Sequence, residues 1–252
     1  MRHRHLLASL VRRQYQIRYR QSFAGFAWAV FPALTTLGAG TLVFHKVAGV
    51  DTGSTPYALF AMAALVPWTM FASGISLGVP SVVQAQLMVT RLTFPRAALP
   101  LSMVGTALID FAVAAVLFAA FLVITRTGLH LTAVWFPVLM IIEIVLIAGV
   151  VLLGSALNVF ARDVKVALPL ITQLWLFLTP VMYPLESVPQ ELRSWYLLNP
   201  MTGLVESFRG VLVGGESPDP ALLLPAIIGA VVALVIGVWY FAATESRFAD
   251  VV

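Results

Sequence analysis

The sequence contains no cysteine and few charged residues. The lack of cysteine excludes disulfide bonds, thiolate metal sites and cysteine nucleophiles. Charged residues make up 10% of the 252 residues and hydrophobic residues 60%, whereas soluble domains have about 25% and roughly 45–50%. This composition is typical of an integral membrane protein, and the length accommodates roughly six spans of about 20 residues each.

Motifs for phosphate binding and catalysis are also absent. No segment matches the phosphate-binding loop G-x-x-x-x-G-K-[ST], and the chain has only two lysines. If the protein uses ATP, another subunit must therefore hydrolyse it. The four histidines lie at or outside predicted span ends: His3, His5, His45 and His130. This placement leaves Ser73 without a base and provides no metal-ligand grouping, so we expect neither an enzyme nor a metal site.

Long apolar runs separated by polar turns predict six transmembrane helices. Their expected bounds are 23–44, 57–79, 101–124, 134–157, 166–182 and 221–243. The expected fold is an all-α integral membrane protein, with one transmembrane domain over residues 1–252.

Residues 1–21 are rich in arginine and contain six of them. At helical spacing Arg12, Arg13 and Arg20 lie opposite a leucine-rich face, and Arg18 can extend its stem toward lipid phosphates. The pattern predicts an interfacial helix on an anionic membrane surface. An ordinary positively charged flank is the alternative, and nucleic-acid binding is not expected because no soluble module accompanies the arginines.

Residues 81–100 form a polar, basic interval between two apolar runs. Val82 to Leu92 contains no glycine or proline, which predicts a helix. Phe94 precedes Pro95 and is therefore biased away from helical geometry, so the helix should end there. The interval must lie at a membrane face because spans flank it on both sides.

Residues 187–215 are too polar for a simple span and too apolar for an exposed loop. Ser187 with Gln190 predicts a capping box, and Asn199 before Pro200 predicts a second helix start. The second helix, 200–213, would be about 21 Å long, less than the roughly 30 Å hydrocarbon core. We therefore expect a re-entrant or interfacial helical pair, and its polar residues are Glu191, Arg193, Asn199, Glu206 and Arg209.

The basic residues are distributed unequally between the two faces that six spans would create. One face holds eleven, namely the six in residues 1–21 with Arg91, Arg96, Arg162, Lys165 and Arg247. The other holds four: Lys46, Arg126, Arg193 and Arg209. Cytoplasmic loops are enriched in basic residues, so both termini are predicted to be cytoplasmic.

Two acids, Asp110 and Glu143, lie inside predicted spans, where a charge is costly. One interpretation is proton coupling in an ion-coupled carrier. The favoured interpretation is that each acid is hydrogen-bonded locally or held protonated by desolvation. Aromatic side chains on the inner faces of spans could stack on sugar rings, and the candidates are Trp28, Phe31, Tyr57, Phe60, Trp68, Trp175 and Tyr183.

Four sequence elements together resemble a known family. They are RRQYQIRYRQSFAGFAWAVFPAL at 12–34, LTFPRAALPL at 92–101, NVFARDVK at 158–165, and TPVMYP followed by LNPMTGLVESFRGVLVGG. In order and spacing they resemble the permease subunits of ATP-binding-cassette exporters for O-antigen, teichoic acid and galactan-like lipid-linked polysaccharides. This resemblance covers nearly the whole chain.

The resemblance implies a homodimer in the bacterial plasma membrane, paired with two copies of a nucleotide-binding subunit that holds the ATP and Mg²⁺. It also implies a coupling helix within 81–94, a second cytoplasmic contact within 161–165, and two gate helices within 187–215. The implied contacts to the ATPase are Gln84, Gln86, Leu87, Thr90, Arg91, Phe94, Arg162 and Asp163. Related exporters move small drugs or lipids, which remains an alternative substrate class.

Overall fold

The protein is described by a computed structural model that covers residues 27–53, 55–91, 94–128 and 130–251. All regular secondary structure in these ranges is helical. The predicted interfacial helix at 1–21 lies outside the described residues, and with it Arg12, Arg13, Arg18 and Arg20. The side chain of Trp28 lies outside them as well.

Eleven α-helices occur in the described ranges. They are α1 Ala27–Gly40, α2 Tyr57–Gly78, α3 Ser81–Gln84, α4 Gln86–Arg91, α5 Ala98–Ile124, α6 Phe136–Phe160, α7 Asp163–Phe177, α8 Gln190–Leu198, α9 Pro200–Arg209, α10 Pro220–Thr244 and α11 Phe248–Val251. Five short 3-10 or π segments adjoin them: Thr41–Val47, Leu131–Trp135, Leu185–Ser187, Gly210–Gly214 and Glu245–Arg247.

Four helical stretches are long and apolar enough to cross a membrane: Tyr57–Gly78, Ala98–Ile124, Leu131–Phe160 and Pro220–Arg247. They correspond to the predicted second, third, fourth and sixth spans, which confirms that these spans are helical. The protein is therefore an all-helical, multi-pass membrane protein. The other two predicted spans correspond to α1, which continues into a π segment, and to α7.

The predicted fifth span, about 166–182, corresponds to a helix with different ends. The helix begins at Asp163 and ends at Phe177 after 15 residues. Leu178 leaves helical geometry with φ −82° and ψ 0°, and Thr179 precedes Pro180, which disfavours the α region. The end of the predicted span is therefore an irregular segment, Leu178–Met182.

Helix α2 occupies the centre of the fold. It packs against α5, α6 and α9, and 16 of its 22 residues are buried. Its apolar and small side chains extend around the whole helix, which is the pattern of a helix surrounded by protein rather than by lipid. The end of α2 that carries Phe60 adjoins α9, whereas its other end leads into α3 and α4.

Helices α6 and α10 form the closest backbone contact in the membrane-spanning part. A Cβ atom added to Gly149 would overlap the backbone of Ala233 and Leu234, and one added to Gly237 would overlap the backbone of Gly149. Small residues allow two helices in a membrane to approach in this way, so that dispersion contacts between backbones hold them together. The two glycines thus set the spacing of this pair.

Two short helices occupy residues 190–209, as predicted, but one of the two caps was wrong. Asn199 accepts a hydrogen bond from the backbone N–H of Met201 at 3.1 Å, which confirms the helix start before Pro200. Ser187 instead ends a 3-10 turn, and Pro189 occupies the position before α8 without a side-chain cap. Proline supplies extended geometry there, so no capping box is needed.

The predicted helix at 82–92 is divided into α3 and α4. Ala85 separates them with φ −97° and ψ 24°, and its N–H is shared between the carbonyls of Ser81 and Val82. No glycine or proline marks this break, so the prediction of one continuous helix was wrong. Packing of the two halves against different helices, α3 on α5 and α6 and α4 on α11, accounts for the change of direction.

The close contact of α6 with α10 generates a stability prediction. Gly149→Ala should lower the thermal midpoint in detergent, because the added methyl overlaps backbone and costs about 1–3 kcal/mol. Gly38→Ala is the matched control, since no atom lies within 4 Å of its added Cβ. Both changes improve helix propensity equally. Equal midpoints for the two variants, measured by tryptophan fluorescence, would contradict the contact.

Candidate functional site

The first candidate site is the exposed side of α3 and α4, at one end of α2. Five predicted contact residues are solvent-exposed there: Gln84, Gln86, Leu87, Thr90 and Arg91. Leu87 has 65% of its surface exposed, whereas Val82 and Val89 on the other side are almost fully buried. An exposed leucine among polar neighbours on a short, well-packed element is typical of a protein-docking surface.

The turn between α6 and α7 lies at the same end of the molecule. Arg162 and Asp163 are both exposed. The turn is held from inside by Asn158, which is 1% exposed and accepts a hydrogen bond from the backbone N–H of Lys165 at 3.1 Å. Phe160, which precedes the turn, stacks edge-on against Phe248. Both predicted contact segments are thus exposed at one end of the bundle, with buried supports behind them.

The second candidate site lies at the opposite end of α2, around Arg209 of α9. The Arg209 guanidinium donates to Glu206 Oε1 at 2.6 Å through Nη1 and to the carbonyls of Pro180 and Val181 at 2.8 and 3.1 Å through Nη2. Its central carbon lies 3.7 Å from the centroid of the Phe60 ring. Planar guanidinium suits this combination of stacking and forked donation, which lysine cannot reproduce.

The irregular segment Leu178–Met182 depends on side chains for its hydrogen bonds. Residues 179–182 are buried and belong to no helix. Their carbonyls accept from side chains distant in sequence: Arg209 donates to two of them, and Tyr57 donates to Met182 at 3.0 Å. Because an unpaired buried carbonyl costs several kcal/mol in an apolar setting, these donors are required for the segment to exist.

Asn199 connects the same segment to the start of α9. Its carbonyl oxygen accepts from the Trp175 indole at 2.9 Å, in addition to capping α9. Its amide nitrogen donates to Thr179 Oγ1 at 2.9 Å and to the Leu178 carbonyl at 3.3 Å. One side chain therefore fixes the end of α7 relative to α9.

Tyr183, Tyr196 and Arg193 tie α8 to its surroundings. The Tyr183 hydroxyl donates to the Phe177 carbonyl at 2.6 Å and lies 3.0 Å from the Tyr196 hydroxyl. Burial raises the pKa of Tyr183 above its ordinary value, and the Tyr196 hydrogen bond adds to that effect. Arg193 donates to the carbonyls of Val188 and Glu186. These bonds hold α8 in place, although none of the residues of α8 is buried.

A cleft of about 500 Å³ opens beside Arg209. Five carboxylate side chains line it: Asp51, Glu186, Glu206, Glu216 and Asp219. Three of them have structural partners, because Asp51 accepts from the N–H of Gly53, Asp219 caps α10 through the N–H of Ala221, and Glu206 accepts from Arg209. The negative charge of the cleft disfavours anionic groups at this end of the protein.

The two acids within spans have different environments. Ser73 of α2 donates a short hydrogen bond to Asp110 of α5, as the hydrogen-bonded interpretation predicts. Glu143 is fully buried in α6, and neither carboxylate oxygen has a hydrogen-bond partner in the described part of the chain. Of the two alternatives within the favoured interpretation, local hydrogen bonding does not apply to Glu143 among the described residues, and desolvation of the buried carboxyl stays a prediction.

The candidate aromatic residues differ in exposure. Tyr57, Phe60 and Trp68 are 4%, 7% and 5% exposed, so they pack within the protein in this conformation. Trp175 and Tyr183 are half-buried. The Trp175 ring contacts the Phe71 ring edge-on, with 4.8 Å between the ring centroids. Phe31 on α1 is 57% exposed. Glu191 on α8 is exposed as well.

Some structural residues were not found from sequence. Phe248 is fully buried, although it stands in the polar stretch TESRFADVV. Arg96 donates a short hydrogen bond to the Glu245 carbonyl, which joins residues 149 positions apart. A lone aromatic residue among polar neighbours was the only available signal. In the described ranges no three His, Asp or Glu residues are grouped so that they could hold a metal ion.

Replacing Arg209 tests the site around the irregular segment. Arg209→Lys should lower the thermal midpoint in detergent, and Arg209→Met should lower it further, by about 6 °C or more, because Glu206 and two carbonyls lose their partner. Arg247→Lys, at an exposed position, should have almost no effect. A midpoint for Arg209→Lys equal to wild type would show that the forked geometry is dispensable.

Comparison with known proteins adds to this geometry. The family model described as "ABC-2 type transporter" matches residues 5–213. The O-antigen export system permease protein RfbA of Myxococcus xanthus is 30% identical over 250 residues, covering 98% of this chain and 95% of that protein. Two proteins of the same name from Klebsiella pneumoniae are each 26% identical over 248 residues, covering 98% of this chain and 94% of theirs. This chain therefore belongs to the ABC-2 type transporter family.

Proposed function

We propose that this protein is the membrane subunit of an ATP-driven exporter that moves a lipid-linked polysaccharide from the inner to the outer face of a bacterial plasma membrane. The observation that carries the proposal is the similarity to O-antigen export permeases over nearly the whole of both chains. ATP and Mg²⁺ bind a separate subunit, since the sequence has no phosphate-binding loop.

Incomplete packing of α1 and α7 supports a homodimer. Helix α7 has no buried residue in the described protomer, and Val166 and Leu170 are 78% and 64% exposed. A groove of about 370 Å³ lies between α7 and α1, and its mostly apolar lining includes the polar side chains of Thr35, Thr36 and Gln173. A second copy that packs against these helices would cover the groove and shield these three side chains from lipid acyl chains.

The exposed surface of α3 and α4 supports docking of the ATPase. With six spans and both termini in the cytoplasm, this surface and the turn at Arg162 and Asp163 face the cytoplasm. Two ATPase copies would contact two such surfaces. Closure of the ATPase on ATP then moves α3 and α4, and the contacts of α3 with α5 and α6 carry the displacement into the membrane.

Helices α8 and α9 are proposed to act as the outer gate. As a re-entrant pair they would lie at membrane depth, which requires burial in protein. Eight of the ten residues of α9 are buried, in agreement with that requirement. Because Arg209 and Asn199 tie α9 to the end of α7, tilting of α7 would move the gate.

The proposal predicts that Leu87 is needed for coupling. Leu87→Ser should reduce glycan export at least about fivefold in vesicles that contain the chain and its ATPase. The reason is that the exposed Leu87 side chain loses its apolar contact with the ATPase, while the buried side of α4 is unchanged. Leu131→Ser is the matched control, because Leu131 is 97% exposed near the other end of the bundle. Normal export by Leu87→Ser, with ATPase bound, would contradict the docking surface.

An ion-coupled carrier that uses Asp110 and Glu143 is the alternative, and the observation that favours it is that buried Glu143 has no hydrogen-bond partner among the described residues. In the ATP-driven exporter, Glu143→Gln and Asp110→Asn should export glycan at wild-type rates after collapse of the proton gradient, as long as ATP is supplied. An ion-coupled carrier would instead transport without any ATPase and would lose transport when either acid is neutralised. Uptake into inverted vesicles with and without a protonophore separates the two mechanisms.

A further inference from the structure

A second, smaller hydrophobic cluster lies behind α4, apart from the main core. Its fully or nearly fully buried members are Val82, Val89, Leu99, Leu152, Ala156, Val159, Phe241 and Phe248. They come from α3, α4, α5, α6, α10 and α11. The cluster therefore joins α3 and α4, together called the coupling segment, to the ends of the membrane-spanning helices α5, α6 and α10.

Phe248 links the separate parts of this cluster. Its ring contacts Phe241 of α10 at 5.2 Å between centroids and Phe160 of α6 at 6.0 Å, both edge-on. Helix α11, which Phe248 begins, packs against α4 and α6. Aromatic pairs of this kind add about 0.5–1.5 kcal/mol each beyond the burial of their area.

A polar bond holds the chain before α11 in place. Arg96, just before α5, donates to the backbone carbonyl of Glu245. Arg96 is partly buried, and its bond fixes the 3-10 turn Glu245–Arg247 beside the start of α5. Phe248 is thus positioned from both sides, by Arg96 through the backbone and by the two aromatic rings through its side chain.

The arrangement provides a route from α4 that does not use the covalent connection to α2. Besides its sequence neighbour α3, α4 packs mainly against α11 in the described part of the chain. Helix α11 in turn contacts α6, and through Phe241 the end of α10. Because α6 and α10 are in backbone contact at Gly149 and Gly237, displacement of one end of this pair displaces both helices.

We infer that Phe248 is a positioning residue that transmits movement of the coupling segment to the α6–α10 pair. The inference rests on the proposed function, in that an ATPase must act on α3 and α4. It assigns to residues 245–251 a role in coupling ATP hydrolysis to transport. The role is mechanical: Phe248 touches neither substrate nor nucleotide.

The first test is the ratio of glycan exported to ATP hydrolysed, measured in vesicles with the full chain and its ATPase. Phe248→Ala should lower this ratio about fivefold or more, while basal ATP hydrolysis and the amount of bound ATPase stay at wild-type values. Phe248→Leu retains most of the volume and should have an intermediate ratio. Val251→Ala is the control on the same helix, because Val251 is exposed.

The second test follows the movement directly. The chain has no cysteine, so a single introduced cysteine carries a unique spin label. Labels at Met88→Cys on α4, outside the predicted docking contacts, and at Trp239→Cys on the exposed side of α10 should both change their spectra when ATP is added to the wild-type background. With Phe248→Ala, the label on α4 should respond as before and the response of the label on α10 should be much smaller, because only the direct contact of α3 with α6 remains. This readout remains informative even if Phe248→Ala lowers stability.

The outcomes separate the two proposals. Absence of ATP-dependent export by the wild-type complex would overturn the proposed function, and this inference with it. Wild-type export together with an unchanged export ratio in Phe248→Ala would overturn this inference alone. An ATP-dependent change at the α10 label that keeps its full size in Phe248→Ala would do the same.

Discussion

Backbone hydrogen bonding in the irregular segment Leu178–Met182 is the constraint on which the Arg209 end of the structure depends. A buried stretch without helix leaves carbonyl groups that neither water nor neighbouring turns can satisfy. Arg209, Asn199 and Tyr57 supply the donors. Removal of these donors would leave both α9 and the end of α7 without a fixed position, since the segment connects them in space.

The charge of Arg209 imposes a second requirement. A guanidinium taken out of water must have all its donors used and its charge balanced. Glu206 balances the charge, the carbonyls of Pro180 and Val181 accept from Nη2 and that of Phe60 accepts from Nε, and the Phe60 ring covers one face. Such a set of contacts favours one arrangement over many similar ones. At the other end of α2 the described residues show no such ionic centre, and aromatic packing around Phe248 holds the helices together.

Sequence reasoning recovered the elements whose signals are local. Four spans followed from apolar runs, and the start of α9 followed from Asn199 before Pro200, because cap and helix are adjacent in the chain. It failed where the cause lies far away. The break at Ala85 reflects the packing of α3 and α4 on different helices. Pro189, and not Ser187, occupies the position before α8. Arg209 was recognised as unusual, yet its partners Phe60 and Pro180 lie 149 and 29 residues away, beyond the reach of any local pattern.

The contact between Gly149 and Gly237 has a meaning for other members of the family. Packed helices usually lie about 8–10 Å apart, as their side chains dictate, and here two missing side chains bring α6 and α10 closer. A relative with a larger residue at either position must hold these helices farther apart. The residues that a relative carries at the positions of Gly149 and Gly237 therefore indicate how far apart this helix pair lies. They also indicate how much space the neighbouring helices have, in proteins for which only the sequence is known.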